Sequence, residues 1–134
     1  MAEEGCYCSA TTNVVLACSG GSNVGQLTNE AAKRLNGEKV AKFSCLAGIG
    51  GQVGGMVASV KGADKVLVID GCPVACAKHC MTQAGIEDYQ YLVVTDLGIE
   101  KNSELELAEP DVNRVLAECR LRLNGSQVNE SGIE

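Results

Sequence analysis

The chain contains no tryptophan, one phenylalanine and three tyrosines, so aromatic side chains make up 3% of its 134 residues. It has no run of lysine or arginine either, and its net charge is −6. Nucleic acids and anionic membrane faces are held by clustered cations, the former with aromatic stacking as well, so neither is expected as a partner. No apolar run approaches the ~20 residues that span a bilayer. The opening Met1-Ala2-Glu3-Glu4-Gly5 has neither the basic region nor the apolar core of a secretory signal, and the expected setting is the reducing cytoplasm. The one histidine, His79, reads as a packed or exposed helix residue rather than a ligand.

Against these absences stand eight cysteines. A chain of this length buries a proper core without covalent staples, and a reducing compartment keeps thiols free, so clustered cysteines point to metal binding or redox work. Cys6-Tyr7-Cys8 lies in a polar, irregular opening, which reads as a flexible arm over 1–12 able to fold back and add sulfur. Residues 126–134 are polar and read as a disordered tail, leaving 13–125 as one domain.

Within that domain one unit recurs. Val14-Val15-Leu16-Ala17 reads as a buried strand that ends at Cys18, and after a Gly- and Ser-rich turn Val24, Leu27, Ala31 and Leu35 keep helical spacing until Asn36-Gly37. Lys39 to Ser44 reads as a second strand ending at Cys45, followed by the loop Leu46–Gly51 and a helix that turns Val53, Met56, Val57 and Val60 inward and stops at Gly62. Val66-Leu67-Val68-Ile69 is the third strand, with Asp70-Gly71 as a sharp turn behind it. Tyr91 to Thr95 is the fourth, and a long loop leads to a helix from about Pro110 that buries Val112, Val115, Leu116, Cys119 and Leu123. Cys119 is there a small packing residue.

Strand–helix alternation predicts an α/β fold: a three-layer sandwich around a four-stranded, mainly parallel sheet of the Rossmann or flavodoxin kind. Such sheets bind ligands just beyond the carboxyl ends of their strands. Three strands finish on Cys18, Cys45 and Cys72, so one edge gathers thiols. Pro73 suits a first helical position and Gly85 the residue past the last turn, which places Cys72 at the N-cap and Cys76 on the same helix face. At ~1.5 Å rise per residue, Cys72 and Cys76 stand about 6 Å apart along the axis and Cys72 and Cys80 about 12 Å. The first pair fits around one tetrahedral ion and the second is strained, so Cys80 is set apart. Cys18, Cys45, Cys72 and Cys76 together would make a closed four-thiolate site of the structural zinc type, and all-sulfur ligands serve copper(I) and iron–sulfur clusters as well.

The motifs Ala17-Cys18-Ser19-Gly20, Cys45-Leu46-Ala47-Gly48-Ile49-Gly50-Gly51 and Ile69-Asp70-Gly71-Cys72-Pro73-Val74-Ala75-Cys76 resemble the DGC-domain family, named for an Asp-Gly-Cys motif and described as zinc-binding. The resemblance runs from the Cys6-x-Cys8 pair to about Gly98. It implies zinc as the cofactor of a small prokaryotic cytoplasmic protein, with Cys18, Cys45, Cys72 and Cys76 as ligands and Cys6 and Cys8 as a matching N-terminal pair. It implies no known reaction. Cys80 falls where relatives are expected to carry another residue.

Two rival readings attach to the same loops. Cys18-Ser19-Gly20-Gly21-Ser22 resembles the phosphocysteine loop of sugar-phosphotransferase B subunits, which would make Cys18 a phosphoryl or persulfide carrier. The low-molecular-weight phosphatase version fails, because Val24 stands where its arginine belongs. Gly48-x-Gly50, with Asp70 about twenty residues on, imitates a dinucleotide fingerprint, but Val53 replaces the third glycine and Gly54 comes one late.

Overall fold

Val14 to Ala17 and Val66 to Asp70 are buried at every position, the mark of strands covered on both faces rather than one. They belong to β1 (Asn13–Ala17) and β3 (Lys65–Asp70), which run side by side in the middle of the sheet. The structure is a computed structural model that describes residues 12–124. In chain order the other elements are α1 (Asn23–Gly37), β2 (Lys42–Phe43), α2 (Leu46–Gly50), α3 (Gly54–Lys61), α4 (Cys76–Gln83), β4 (Gln90–Val93) and α5 (Glu109–Asn124), with a 3-10 turn at Val94–Leu97. Among the described residues the sheet has four strands in the order β2-β1-β3-β4, every pair parallel.

Alternation along the strands sorts the core. Val15, Ala17, Leu67 and Ile69 pack with α1 and α5 on one face, while Val14, Leu16, Val66 and Val68 pack with α3 and α4 on the other. This is the three-layer sandwich expected from the sequence. The described helices include none long and apolar enough to cross a membrane.

Several element boundaries differ from expectation. Lys39 takes a left-handed conformation (φ 61°) that ends α1, with Val40 N–H bonded to Leu35 O and Lys39 N–H to Asn36 O, so β2 begins only at Lys42. Leu46–Gly50 is a one-turn helix and not a loop, because Ile49 is wholly buried there despite the neighbouring glycines. Val53 is 53% exposed rather than inward, and α3 is held to the sheet mainly through Val60. The fourth strand ends at Val93 and passes into the 3-10 turn, so Thr95 is not in it. Gly85 does lie just past α4, with φ 74°, and Ile86 N–H and Gly85 N–H close the helix on Met81 O and Thr82 O. Cys6, Cys8 and the tail 126–134 lie outside the described residues.

Candidate metal centre

The chain leaves β1 toward β2 on one side, and β3 leads to β4 on the other. In sheets of this order the crevice for ligands opens where the connections diverge, at the carboxyl ends of the two central strands. Cys18 is the first residue past β1, and its N–H is fastened to Ile69 O of β3 at 3.0 Å. Cys72 comes two residues after β3 and Cys45 two after β2, where Ser44 N–H bonds Val15 O at 3.0 Å. The Gly71 carbonyl is tied to Thr95 N–H at 3.1 Å.

Close backbone approach lets these turns meet. A Cβ on Gly71 would lie 2.8 Å from Gly25 N and Val24 C, and a Cβ on Gly25 would lie 2.5 Å from Gly20 O. Only hydrogen at these two positions allows the turn after β3, the turn after β1 and the start of α1 to stack.

Two clefts open on this edge, and Cys18 belongs to both. One, of about 170 Å³, is bounded by Cys18, Cys72, Cys76, Asp70 and Lys101. The other, of about 460 Å³, is bounded by Cys18, Cys45 and Cys80 with Phe43 and Leu46, and its walls are mostly apolar. The edge therefore collects Cys18, Cys45, Cys72, Cys76 and Cys80. All of them are free thiols, Cys45 and Cys76 exposed and the other three partly buried. Cys119 is buried in the core, as its spacing suggests. His79 is exposed and bounds neither cleft.

The helix carrying Cys76 corrects one expectation. Cys72 and Cys76 do not share a helix face, because α4 starts at Cys76 and not at Pro73. Pro73 and Val74 make a turn closed by Ala75 N–H on Cys72 O at 3.0 Å, and Ala75 itself is left-handed at φ 60°. The cause is Asp70. Alternation after Val66 and Val68 puts its side chain on the α4 side of the sheet, where its carboxylate accepts Ala77 N–H at 2.8 Å and Lys78 N–H at 3.0 Å. The positive end of α4 is thus neutralised by a carboxylate from the strand, and Tyr91 donates its hydroxyl to the same group at 2.7 Å.

Burial first, then the Asp70 bond and charge, push the Tyr91 hydroxyl well above the usual phenol range. Burial, with the nearby Cys76 and Asp70 charges, pushes the Cys80 thiol up as well. Lys101 places Nζ 3.3 Å from Cys72 Sγ. Its loop is clamped over the cleft by Asn23, whose side chain donates to Glu100 O and accepts from Asn102 N–H. Thr28 Oγ1 stands 3.7 Å from Cys18 Sγ while accepting Ser19 N–H and donating to Gly25 O. Its proton being committed to Gly25, it can only accept from the Cys18 thiol.

Soft sulfur donors from separate turns suit a thiophilic metal, and the lack of a Cβ at Gly50 leaves room for one of them, since a Cβ there would lie 3.1 Å from Cys80 Sγ. As placed, however, no group of three or more His, Cys, Asp or Glu side chains among the described residues is arranged to hold an ion. The donor chemistry fits and the ring is open, so binding would have to draw the thiols together. A phosphate cradle at the start of α1 fits less well. There Asn23 N–H is taken by Asn102 O, Gly25 N–H by Ser22 Oγ and Gln26 N–H by Ser22 O.

Lys101 and Thr28 at this edge are not singled out in the sequence, and Cys80, set apart there from Cys72 and Cys76, bounds the cleft that holds Cys18 and Cys45. Cys80 carries a signal in its spacing, one turn beyond Cys76. Lys101 and Thr28 reach the site through a long loop and the second turn of α1, and nothing local marks them.

A family model described as the DGC domain matches residues 14–119. The chain is 35% identical over 105 residues to the anaerobic and virulence modulator AnvM of Pseudomonas aeruginosa, an alignment that covers 78% of this chain and 80% of that protein. No solved structure matches it.

Proposed function

Because the chain belongs to the DGC-domain family, we propose that it is a zinc-binding protein of the cytoplasm, holding its metal through cysteine thiolates at the carboxyl edge of the sheet. Cys18, Cys45, Cys72 and Cys76 supply the sulfur, with Cys6 and Cys8 adding a second pair or taking the ion in exchange. The observation that carries this reading is the shared position of Cys18, which bounds one cleft with Cys72 and Cys76 and the other with Cys45.

Bound zinc would supply charge and a cross-link between three βα turns. A site closed by four thiolates leaves no position for a substrate, so hydrolytic metal chemistry is not expected. Metal transfer or sensing of thiol state is the use that fits, because both require ligands that come off. The name of the relative AnvM, a modulator, agrees better with sensing than with an enzyme. The turns bring the donors to one cleft: Gly25 and Gly71 let the turns carrying Cys18 and Cys72 stack, and Asp70 holds the start of α4, where Cys76 bounds the same cleft.

The test is the metal content of the full chain purified reduced and without added metal. One tightly held zinc supports the reading. A brown protein with visible absorption would replace zinc by an iron–sulfur cluster on the same sulfurs.

A further inference from the structure

Among the described residues Lys101 is the only cation that bounds either thiol cleft, and it sits in a loop of otherwise negative charge. From 96 to 109 the chain carries Asp96, Glu100, Glu104, Glu106 and Glu109 against this single lysine. Its ammonium donates to Cys72 Sγ at 3.3 Å. The side chain is exposed, and an exposed lysine on a free loop would keep no fixed position. Here the backbone on both sides of it is fastened to one residue. Asn23, buried at the first position of α1, donates Nδ2 to Glu100 O at 2.7 Å and accepts Asn102 N–H on Oδ1 at 2.6 Å. Its own N–H bonds Asn102 O at 3.0 Å. Asn102 Oδ1 in turn accepts Glu104 N–H at 2.8 Å and secures the loop beyond. Hydrogen bonds thus bracket one position, and the side chain that leaves it meets a thiol.

We infer that Lys101 is a positioning residue of the metal centre, whose ammonium holds the Cys72 sulfur by a hydrogen bond that persists on the bound thiolate and offsets part of the site's negative charge. The inference rests on the zinc-binding reading and adds to it a residue that is not a ligand. Zinc with four thiolates keeps a double negative charge, on a chain already at −6. A cation beside one sulfur opposes that accumulation, and the hydrogen bond fixes the direction in which the sulfur points. Lysine suits the task, because a compact ammonium with three donors on a flexible stem can follow Cys72 as the thiols draw together. The Asn23 clamp holds only the root of that stem.

The experiment is a competitive chelator titration of zinc into the reduced, metal-free full chain, paired with cobalt(II) loading to read the energy of the sulfur-to-metal absorption band. It compares wild type, Lys101→Met, Lys101→Arg, Asn23→Ala and the Lys101→Met, Asn23→Ala double variant, with circular dichroism as the check on folding. Lys61→Met is the control that removes the same charge elsewhere, since Lys61 ends α3 and bounds neither cleft. Lys101→Met is expected to weaken zinc by about tenfold, as loss of a supporting residue does, and to move the cobalt band to lower energy, because a sulfur without its hydrogen bond gives up electron density more readily. Lys101→Arg restores most of both. Asn23→Ala alters no charge, moves both readouts the same way, and adds nothing once Lys101 is methionine. Lys61→Met leaves both unchanged.

A Lys101→Met protein that matches wild type in affinity and in cobalt band overturns the role of Lys101. So does an equal weakening by Lys61→Met, which would trace the effect to net charge alone. Additive losses from Lys101→Met and Asn23→Ala overturn the clamp. Absence of zinc uptake by wild type overturns the zinc-binding reading itself, and this inference with it.

Discussion

Tyr91 donates its hydroxyl to Asp70 at 2.7 Å, joining β4 to the carboxylate that also caps α4. The Asp of the Asp-Gly-Cys motif is thus a structural fastener, 1% exposed, with its carboxylate bonded to α4 and Tyr91. It fixes where the helix starts and, through that, where Cys76 and Cys80 stand.

Asp70→Asn keeps one acceptor oxygen and turns an amide NH₂ toward donors already present. Two charge-assisted bonds are lost or inverted, and the variant is expected to be destabilised by about 3 kcal/mol. Tyr91→Phe removes one bond and should cost about 1–2 kcal/mol. Urea unfolding of the metal-free chain measures both, and a midpoint for Asp70→Asn equal to wild type would show that the cap is dispensable.

Gly71 and Gly25 leave no room for a methyl group, and the atoms in the way are backbone, which cannot swing aside. Gly71→Ala and Gly25→Ala are each expected to lose about 1–3 kcal/mol by overpacking. Gly54→Ala, with nothing within 4 Å of its added Cβ, should be neutral or slightly stabilising. Denaturation midpoints that rank the three variants alike would contradict this account of how the turns meet.

Burial pushes the Cys119 thiol up to about 12 from an ordinary 9.0. The unfolded chain releases that proton near pH 9.0 while the folded chain keeps it, so above this pH the unfolded state binds fewer protons. Stability is therefore fully present below pH 9.0 and falls as pH rises toward about 12. The slope is about 1.4 kcal/mol per pH unit for this one group. Tyr91 adds a fall of the same sign above its ordinary 10.0. Unfolding midpoints measured from neutral to alkaline pH under reducing, metal-free conditions should show the decline, and Cys119→Ala should flatten it. An unchanged slope in that variant would place the alkaline sensitivity elsewhere.

The strands, the layering and the carboxyl-edge position of Cys18, Cys45 and Cys72 were legible in the sequence because each rests on a local pattern: an apolar run followed by a turn. The start of α4 was not. Pro73 carries a strong local signal for a first helical residue, but the carboxylate of Asp70 reaches Ala77 and Lys78 and moves the start to Cys76. A contact over seven residues between a strand and a helix leaves no periodicity to read. The placement of Cys80 depends on that shift and on Gly50, which in sequence looks like one more loop glycine. Likewise Lys39 ends α1 in a left-handed turn although Asn36-Gly37 offers the conventional residues three and two positions earlier.

The central claim is that thiols from separate turns share one metal, and elemental analysis of the reduced full chain beside Cys18→Ser tests it most directly. One zinc per wild-type chain, lost when Cys18 alone is changed while the fold persists by circular dichroism, is the predicted result. Wild type that neither carries nor takes up zinc, or Cys18→Ser that holds it as firmly as wild type, would contradict the claim.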